Sequence, residues 1–195
     1  TQGVGKGLFS QVVQSLFGYK NVAPNVKFKD MIGTHTTIIE GKQIIFLNEV
    51  VLENNTAKTK TLSNEFKDLI TEPVLWINPK NKPQIEIPNL CNFWVFSNSD
   101  TPLYIEDDDR RAFVINIKHN KQSVNFKLFD EGYKEDILNV IKDPSGFKYH
   151  LLNDIAYNRD IFFTDAPYTD DKAELIESNK SELLQELEAR HEAME

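Results

Sequence analysis

The apolar residues of the chain group into short unbroken runs and longer periodic stretches. Unbroken runs are typical of strands in a parallel sheet, which is covered on both faces, and they occur at 44–47, 93–96 and 112–115. Two further β-prone runs, 74–77 and 85–87, flank a segment rich in Asn and Pro and therefore predict a hairpin. Trp76 lies inside one of these runs and is therefore expected in the core rather than as a platform on which a nucleic-acid base stacks.

Apolar residues spaced three or four positions apart predict helices. The first such stretch ends at Gly18 and the second is closed by Pro73, both typical of helix ends. The helical stretches cover 8–17, 62–70, 133–141, 147–157 and, in a strongly charged form, 170 to the end. The polar segment that leads to Lys29 shows neither pattern. Strands alternating with helices predict an α/β fold with a parallel sheet flanked by helices, an inserted β-hairpin and a C-terminal helical region.

Composition limits the classes of function. The 195 residues are 40% hydrophobic with eight Gly and eight Pro, which excludes collagen-like and wholly disordered chains. Cys91 is the single cysteine and the four histidines are scattered, so no metal site built from Cys and His is indicated. No apolar run approaches the ~20 residues that cross a bilayer, so we expect a cytoplasmic protein without a membrane partner. The net charge of −8 confines any nucleic-acid contact to a local basic feature.

A glycine-rich segment, Gly3-Val4-Gly5-Lys6, directly precedes the first helix. Backbone N–H groups without side-chain bulk, a helix N-terminus and an ammonium group are the three parts of a phosphate-binding loop. Gly7 stands where such loops carry the Ser or Thr that binds magnesium. The segment equally suits a flexible start or a capping turn, so its meaning depends on the elements that follow.

Polar side chains follow two of the predicted strands. Asn48 and Glu49 come after the strand at 44–47, and Glu49 is the candidate general base that would polarise water beside a metal. Asn48 stands where P-loop ATPases usually have an Asp, which makes it a poorer partner for magnesium. Asn98, after the strand at 93–96, is the candidate sensor that orients the attacking water. Taken singly, each residue also has an ordinary structural explanation, because acidic residues often follow strands and Asn often caps loops.

Charged side chains supply the remaining candidates. Arg110 and Arg111 follow three Asp, so they either neutralise that acidic run or provide an arginine finger to a neighbouring subunit, which requires a ring. Lys80 and Lys82 at the hairpin tip are either solubilising residues or a grip on nucleic-acid phosphates. Lys67, on the preceding helix, either adds to this grip or is an exposed helix charge.

Together, in this order, the motifs resemble superfamily 3 helicases, and more narrowly the helicase-like C-terminal part of phage and plasmid primase-polymerases and poxvirus-type primase-helicases. The resemblance implies an AAA+ type P-loop ATPase core at 1–123 and a helical region at 124–195 whose segment from Ala166 is similar to a lid. It also implies ATP and Mg2+ as cofactors, a hexameric ring, single-stranded DNA in the channel and an upstream primase-polymerase domain. The implied roles are ATP binding by Gly3, Gly5, Lys6 and Gly7, catalysis by Glu49, Asn98, Arg110 and Arg111, metal binding by Asn48 and Glu49, and DNA binding by Lys67, Lys80 and Lys82.

Two hypotheses remain open. The first is an ATP-driven translocase within a replication protein. The second is an oligomerisation and DNA-binding scaffold with a degenerate ATPase, which Gly7 and Asn48 favour. A nucleotide kinase fits poorly, because a kinase needs neither the lysine hairpin nor the paired arginines. A chain that starts inside a phosphate loop is also expected to be part of a longer polypeptide.

Overall fold

The computed structural model describes residues 5–31, 37–48, 50, 57–99, 101–117, 131–157 and 165–180. These ranges contain helices and strands in alternation, followed by three helices. In chain order they are α1 (Lys6–Phe17), β1 (Val22–Val26), α2 (Phe28–Met31), β2 (Ile44–Asn48), α3 (Ala57–Thr71), β3 (Val74–Ile77), β4 (Ile85–Pro88), β5 (Asn92–Phe96), α4 (Glu131–Lys142), α5 (Ser145–Asn153) and α6 (Asp170–Asn179). The mixed α/β class that the sequence predicts is confirmed.

Three strands form a parallel sheet in the order β1-β2-β5. β2 is central, and its Asn48 lies opposite Phe96 of β5. The inserted hairpin β3-β4 forms a separate antiparallel pair. Because β2 and β5 are parallel and in register, both strands end at the same edge of the sheet, which brings together the segments that follow them.

Both faces of β2 are covered, which explains its unbroken apolar sequence. Ile45 and Leu47 pack into a cluster with Phe66 of α3 and with the hairpin, on one face. Ile44 and Phe46 pack with Val13 of α1 on the other face. Alternate side chains of a strand point to opposite faces, so this arrangement places helices on either side of the sheet.

β1 shows no strand pattern in the sequence because Pro24 and Asn25 interrupt its apolar residues. Within the described sheet it pairs only with β2, and the register shifts between Ala23 and Val26. Proline lacks a backbone N–H and is tolerated on an edge strand at such an irregularity. Val22, Ala23 and Val26 are nevertheless buried, so packing rather than local pattern determines this strand.

The expected strand at 112–115 is wrong, because those residues adopt no strand in the structure. The segment instead bonds to the start of α6. The Val114 carbonyl accepts a hydrogen bond from the Thr169 hydroxyl, and the Asn116 N–H donates to Asp171 Oδ2. Ala112 and Val114 face Leu175 and its neighbours, while Phe113 remains exposed. Side chains at 112–115 therefore alternate between partly buried and exposed, as they would in a strand, but these residues are not paired with a strand.

Three helices, α4, α5 and α6, lie in the described part of the C-terminal region. The predicted continuation of the last helix beyond residue 180 falls outside the described residues. α1 contacts α4, and α4 contacts α5. Leu175 and Ile176 of α6 pack against Ile105, so this helix lies against the segment that carries the arginine pair. The predicted boundary at 123/124 falls outside the described residues. No helix within the described ranges is long and apolar enough to cross a bilayer.

Candidate functional site

A long-range polar contact at the sheet edge joins Lys6 to the segment after β5. Lys6 Nζ donates to Asn98 Oδ1 at 2.6 Å and to the Ser97 carbonyl at 2.7 Å. α1 supplies Lys6 because the helix begins at this residue. Partial burial removes water from the ammonium and lowers the pKa of Lys6. Two candidates that are 92 residues apart in the chain are thus brought into direct contact.

Gly5 sets the direction in which α1 starts. Its φ of 83° is left-handed, a conformation that glycine adopts without strain, and its carbonyl accepts the first helical bond, from Phe9 N. Gly5 is the N-cap residue and has no side chain with which to cap this helix end. Gly7 lies inside the helix with open space around the position of a Cβ, so packing does not require a glycine there. Gly3 lies outside the described residues.

Asn48 is turned away from Lys6. Its Nδ2 donates to Asn25 Oδ1 at 2.9 Å and to the Pro24 carbonyl at 3.5 Å, both on β1. β1 lies on the opposite side of β2 from β5, where Lys6 is bound. The amide of Asn48 therefore ties two strand ends together rather than facing the Lys6–Asn98 contact.

Glu49 lies outside the described residues, but the chain on both sides of it is fixed. Asn48 pairs with Phe96 in the sheet, and the Val50 N–H donates to the Phe96 carbonyl at 3.4 Å. The Ser97 hydroxyl donates to the Val50 carbonyl at 2.7 Å. Ser97 thus holds Val50 against the segment after β5, a role that the sequence pattern does not predict. A small hydroxyl residue at a strand end was its only sequence signal.

The hairpin presents its lysines to solvent, as predicted. Lys80 and Lys82 are both exposed, and the tip is closed by a bond from the Lys82 N–H to the Pro79 carbonyl at 3.2 Å. Asn81 takes a positive φ of 60°, which Asn tolerates better than most residues. Trp76 lies on the same hairpin and is 60% exposed, so its expected place in the core is wrong.

Lys67 is not an exposed helix charge. Its Nζ lies 2.6 Å from Glu106 Oε2, and only 18% of its side chain is accessible. Tyr104 N, close by in the chain, donates to the buried Ser63 hydroxyl of the same helix. These contacts attach the arginine-bearing segment to α3, so Lys67 is engaged within the fold.

The two arginines lie in a segment that α6 fixes through a buried ion pair. Lys172 is 1% exposed, and its Nζ donates to the Asp109 carbonyl and lies 3.6 Å from Asp109 Oδ1. The Arg110 carbonyl accepts a bond from Ala166 N at 2.9 Å. Arg111 Nη1 lies 3.5 Å from Asp109 Oδ2. Within the described ranges, neither arginine bonds to the Lys6–Asn98 pair.

Asp109 is the anchor of this segment. Burial alone would raise the pKa of its carboxyl, but bonds from the Ala112 and Arg111 N–H groups and the charges of Lys172 and Arg111 lower it. The sequence held one clue to Lys172: it precedes Leu175 and Ile176 by three and four positions, which puts it on the apolar stripe of the helix. Among the residues that the structure describes, no three His, Cys, Asp or Glu side chains cluster closely enough to hold a metal.

A family model matches more than half of the chain. The model of a family of unknown function (DUF5906) matches residues 1–111. This stretch contains every candidate site residue, from the first glycines to the arginine pair.

One curated relative is the DNA primase-polymerase of Nitratiruptor phage NrS-1. It is 31% identical over 150 residues, which are 77% of this chain and 20% of that protein. Two apo structures of the NrS-1 C-terminal region match 97% of this chain at 28% identity, with TM-scores of 0.77 and 0.72. The chain covers 43% of each of those structures. It therefore spans a fifth of the curated relative and less than half of the solved region.

Proposed function

The chain belongs to the family of unknown function DUF5906, and from that premise we propose that it is the nucleotide- and DNA-binding module of a phage DNA replication protein. The parent protein would combine this module with an upstream primase-polymerase domain, a proposal that the name of the NrS-1 relative, a DNA primase-polymerase, supports. The module would be an AAA+ type ATPase of the helicase class that works on single-stranded DNA as a hexameric ring.

The contact between Lys6 and Asn98 carries this proposal. It joins the start of a glycine-led helix to the end of a parallel strand, which is where α/β proteins bind phosphate groups. The described partners of Lys6, Asn98 and the Ser97 carbonyl, are both neutral, so its charge is not cancelled by them. A phosphate oxygen would replace one of these partners and gain a charge-assisted bond.

Hydrolysis would use three groups of this chain. Lys6 would bind the outer phosphates and Asn98 would orient a water molecule toward the γ-phosphorus. Glu49 would accept the proton of that water as its oxygen bonds to phosphorus and the bond to the ADP oxygen breaks. The positions of Asn48 and Val50 support this role, since both bond to the end of β5, close in the chain to Asn98.

Magnesium binding has weaker support. Gly7 has no side chain to offer, and the amide of Asn48 donates to β1. The described residues therefore do not provide a ligand set for Mg2+, and the proposal rests on phosphate binding. Arg110 and Arg111 would act across a ring interface, because their segment is fixed to α6 and makes no described bond to the Lys6–Asn98 contact.

The experiment measures ATP hydrolysis by the full-length protein with and without single-stranded DNA. We expect DNA to stimulate turnover, and we expect Lys6→Met or Glu49→Gln to reduce it at least about 100-fold, because each removes a group that acts on the γ-phosphate. Lys42→Met is the matched control: Lys42 also donates to a backbone carbonyl, that of Lys20 at 2.7 Å, but far from the sheet edge. Full turnover in both site variants would contradict the proposal.

The scaffold remains the second candidate, favoured by the position of the Asn48 amide. It predicts a ring that binds DNA without turnover. In that case Lys80→Glu together with Lys82→Glu weakens DNA binding, while Lys6→Met leaves replication unchanged. A protein that is monomeric at all concentrations tested would contradict both candidates.

A further inference from the structure

Trp76 is exposed at a position where its neighbours in sequence are buried. Leu75 and Ile77 are 7% and 0% exposed, whereas Trp76 is 60% exposed. Side chains alternate between the two faces of a strand, so β3 turns Leu75 and Ile77 toward the core and Trp76 outward. A large indole on the outer face of a two-stranded hairpin adds little to the packing of the core. Its location is therefore better explained by a partner outside the described residues.

The surroundings of Trp76 indicate the chemistry of that partner. The tip of the same hairpin carries Lys80 and Lys82, both exposed, with no acidic residue between positions 78 and 85. Lys80 lies four residues beyond Trp76, a path of at most about 14 Å along an extended chain. Glu86 lies opposite Trp76 on β4. An anionic backbone would thus be attracted to the tip and repelled from β4.

We propose that Trp76 is a stacking platform for a base of single-stranded DNA whose phosphates lie along Lys80 and Lys82. An aromatic ring beside basic residues is the combination by which proteins bind single strands without reading their sequence. Glu86 would keep phosphates away from the ring, leaving its face to the uncharged base. The inference rests on the proposed DNA contact of the hairpin, but it requires no ATP binding or hydrolysis.

The experiment compares two probes of equal length and charge on the full-length protein: oligothymidylate and an abasic oligonucleotide. We expect Trp76→Ala to weaken binding of oligothymidylate about tenfold and to leave the abasic probe unchanged, because only the first probe can stack. Trp76→Phe should retain most of the affinity. Tyr149→Ala is the matched control, since Tyr149 is 65% exposed on α5, outside the hairpin.

The outcomes separate stacking from the phosphate grip. Lys80→Glu with Lys82→Glu should weaken both probes; if it weakens neither, the proposed grip fails, and the probe selectivity of Trp76→Ala still reports on stacking. Equal loss of both probes in Trp76→Ala would contradict stacking. So would unchanged binding of oligothymidylate, or a change of oligomeric state without DNA, which would identify a second copy of the chain as the partner of the ring.

Discussion

Lys6 and Lys172 both reach across the chain to a backbone carbonyl, but their surroundings differ. Lys6 contacts the Ser97 carbonyl and the neutral amide of Asn98 while remaining partly exposed. Lys172 is 1% exposed and faces the carboxylate of Asp109. The charge of Lys172 is thus balanced within the fold, whereas that of Lys6 has no described counter-ion. A lysine of the first kind can bind an anionic ligand, and one of the second kind maintains structure.

Replacing Lys172 should have the largest effect on stability. Lys172→Met removes the buried ammonium group that faces the carboxylate of Asp109, and we expect the free energy of unfolding to fall by about 3 kcal/mol. Lys6→Met should lower it by less than about 1 kcal/mol, because its partners are neutral groups. Urea unfolding measures both. Lys180→Met, which breaks a more exposed pair with Glu177, is the control. Equal losses of unfolding free energy in the Lys6 and Lys172 variants would contradict the distinction between a lysine that can bind a ligand and a lysine that maintains structure.

The ion pair between Lys172 and Asp109 should also make the stability of the fold depend on pH. The folded state lowers the pKa of Asp109, so its carboxylate stabilises the fold above a pH of about 4 and loses this effect as the pH falls through the lowered pKa. Asp109→Asn should therefore cost about 2 kcal/mol near pH 7 and progressively less below about pH 4. Unfolding curves across this range test it. A difference that stays constant with pH would show that the charge of Asp109 is not involved.

The glycines beside Lys6 should respond in opposite directions. Gly5→Ala places a Cβ at a φ of 83° and should cost about 1–2 kcal/mol. Gly7→Ala should stabilise by about 0.5–1 kcal/mol, since the helix has open space there. Thermal unfolding measures both effects. A stabilising Gly5→Ala would mean that α1 does not need its left-handed start.

Replacing Lys67 should have the smallest effect on stability. It pairs with Glu106, which is half exposed, so Lys67→Met should change stability by less than about 1 kcal/mol. DNA affinity should also remain within about twofold of the wild type if Lys67 is engaged within the fold. A large loss of DNA binding, measured by fluorescence anisotropy, would instead place Lys67 in the DNA grip.

The sequence predicted those features that depend on local pattern or on simple topology. β2 is buried on both faces, and its apolar run reveals it. The apolar run at 93–96 also predicts β5, but this strand is less covered than expected, since none of its residues is fully buried and Trp94 is 44% exposed. The contact of Lys6 with Asn98 agrees with the expectation that the glycine-led helix start lies at the edge where the parallel strands end. The AAA+ type core and the ring stay predictions.

Features that depend on distant partners were missed. β1 carries Pro24 and is a strand only because β2 lies beside it. Residues 112–115 have the composition of a strand, yet their described partners are side chains and backbone at the start of α6. Trp76 is in an apolar run but points outward, because a strand of a hairpin has only one covered face. In each case a neighbouring element determines the conformation or the burial of the residues, and the local sequence pattern does not identify that element.

The binding of ATP to Lys6 tests the central claim most directly. Isothermal titration of the full-length protein with ATP should give saturable binding that Lys6→Met weakens at least about tenfold and that Lys42→Met leaves unchanged, since a charge-assisted phosphate bond contributes roughly 1.5–3 kcal/mol. Equal ATP affinity in the wild type and the Lys6→Met variant would contradict the account.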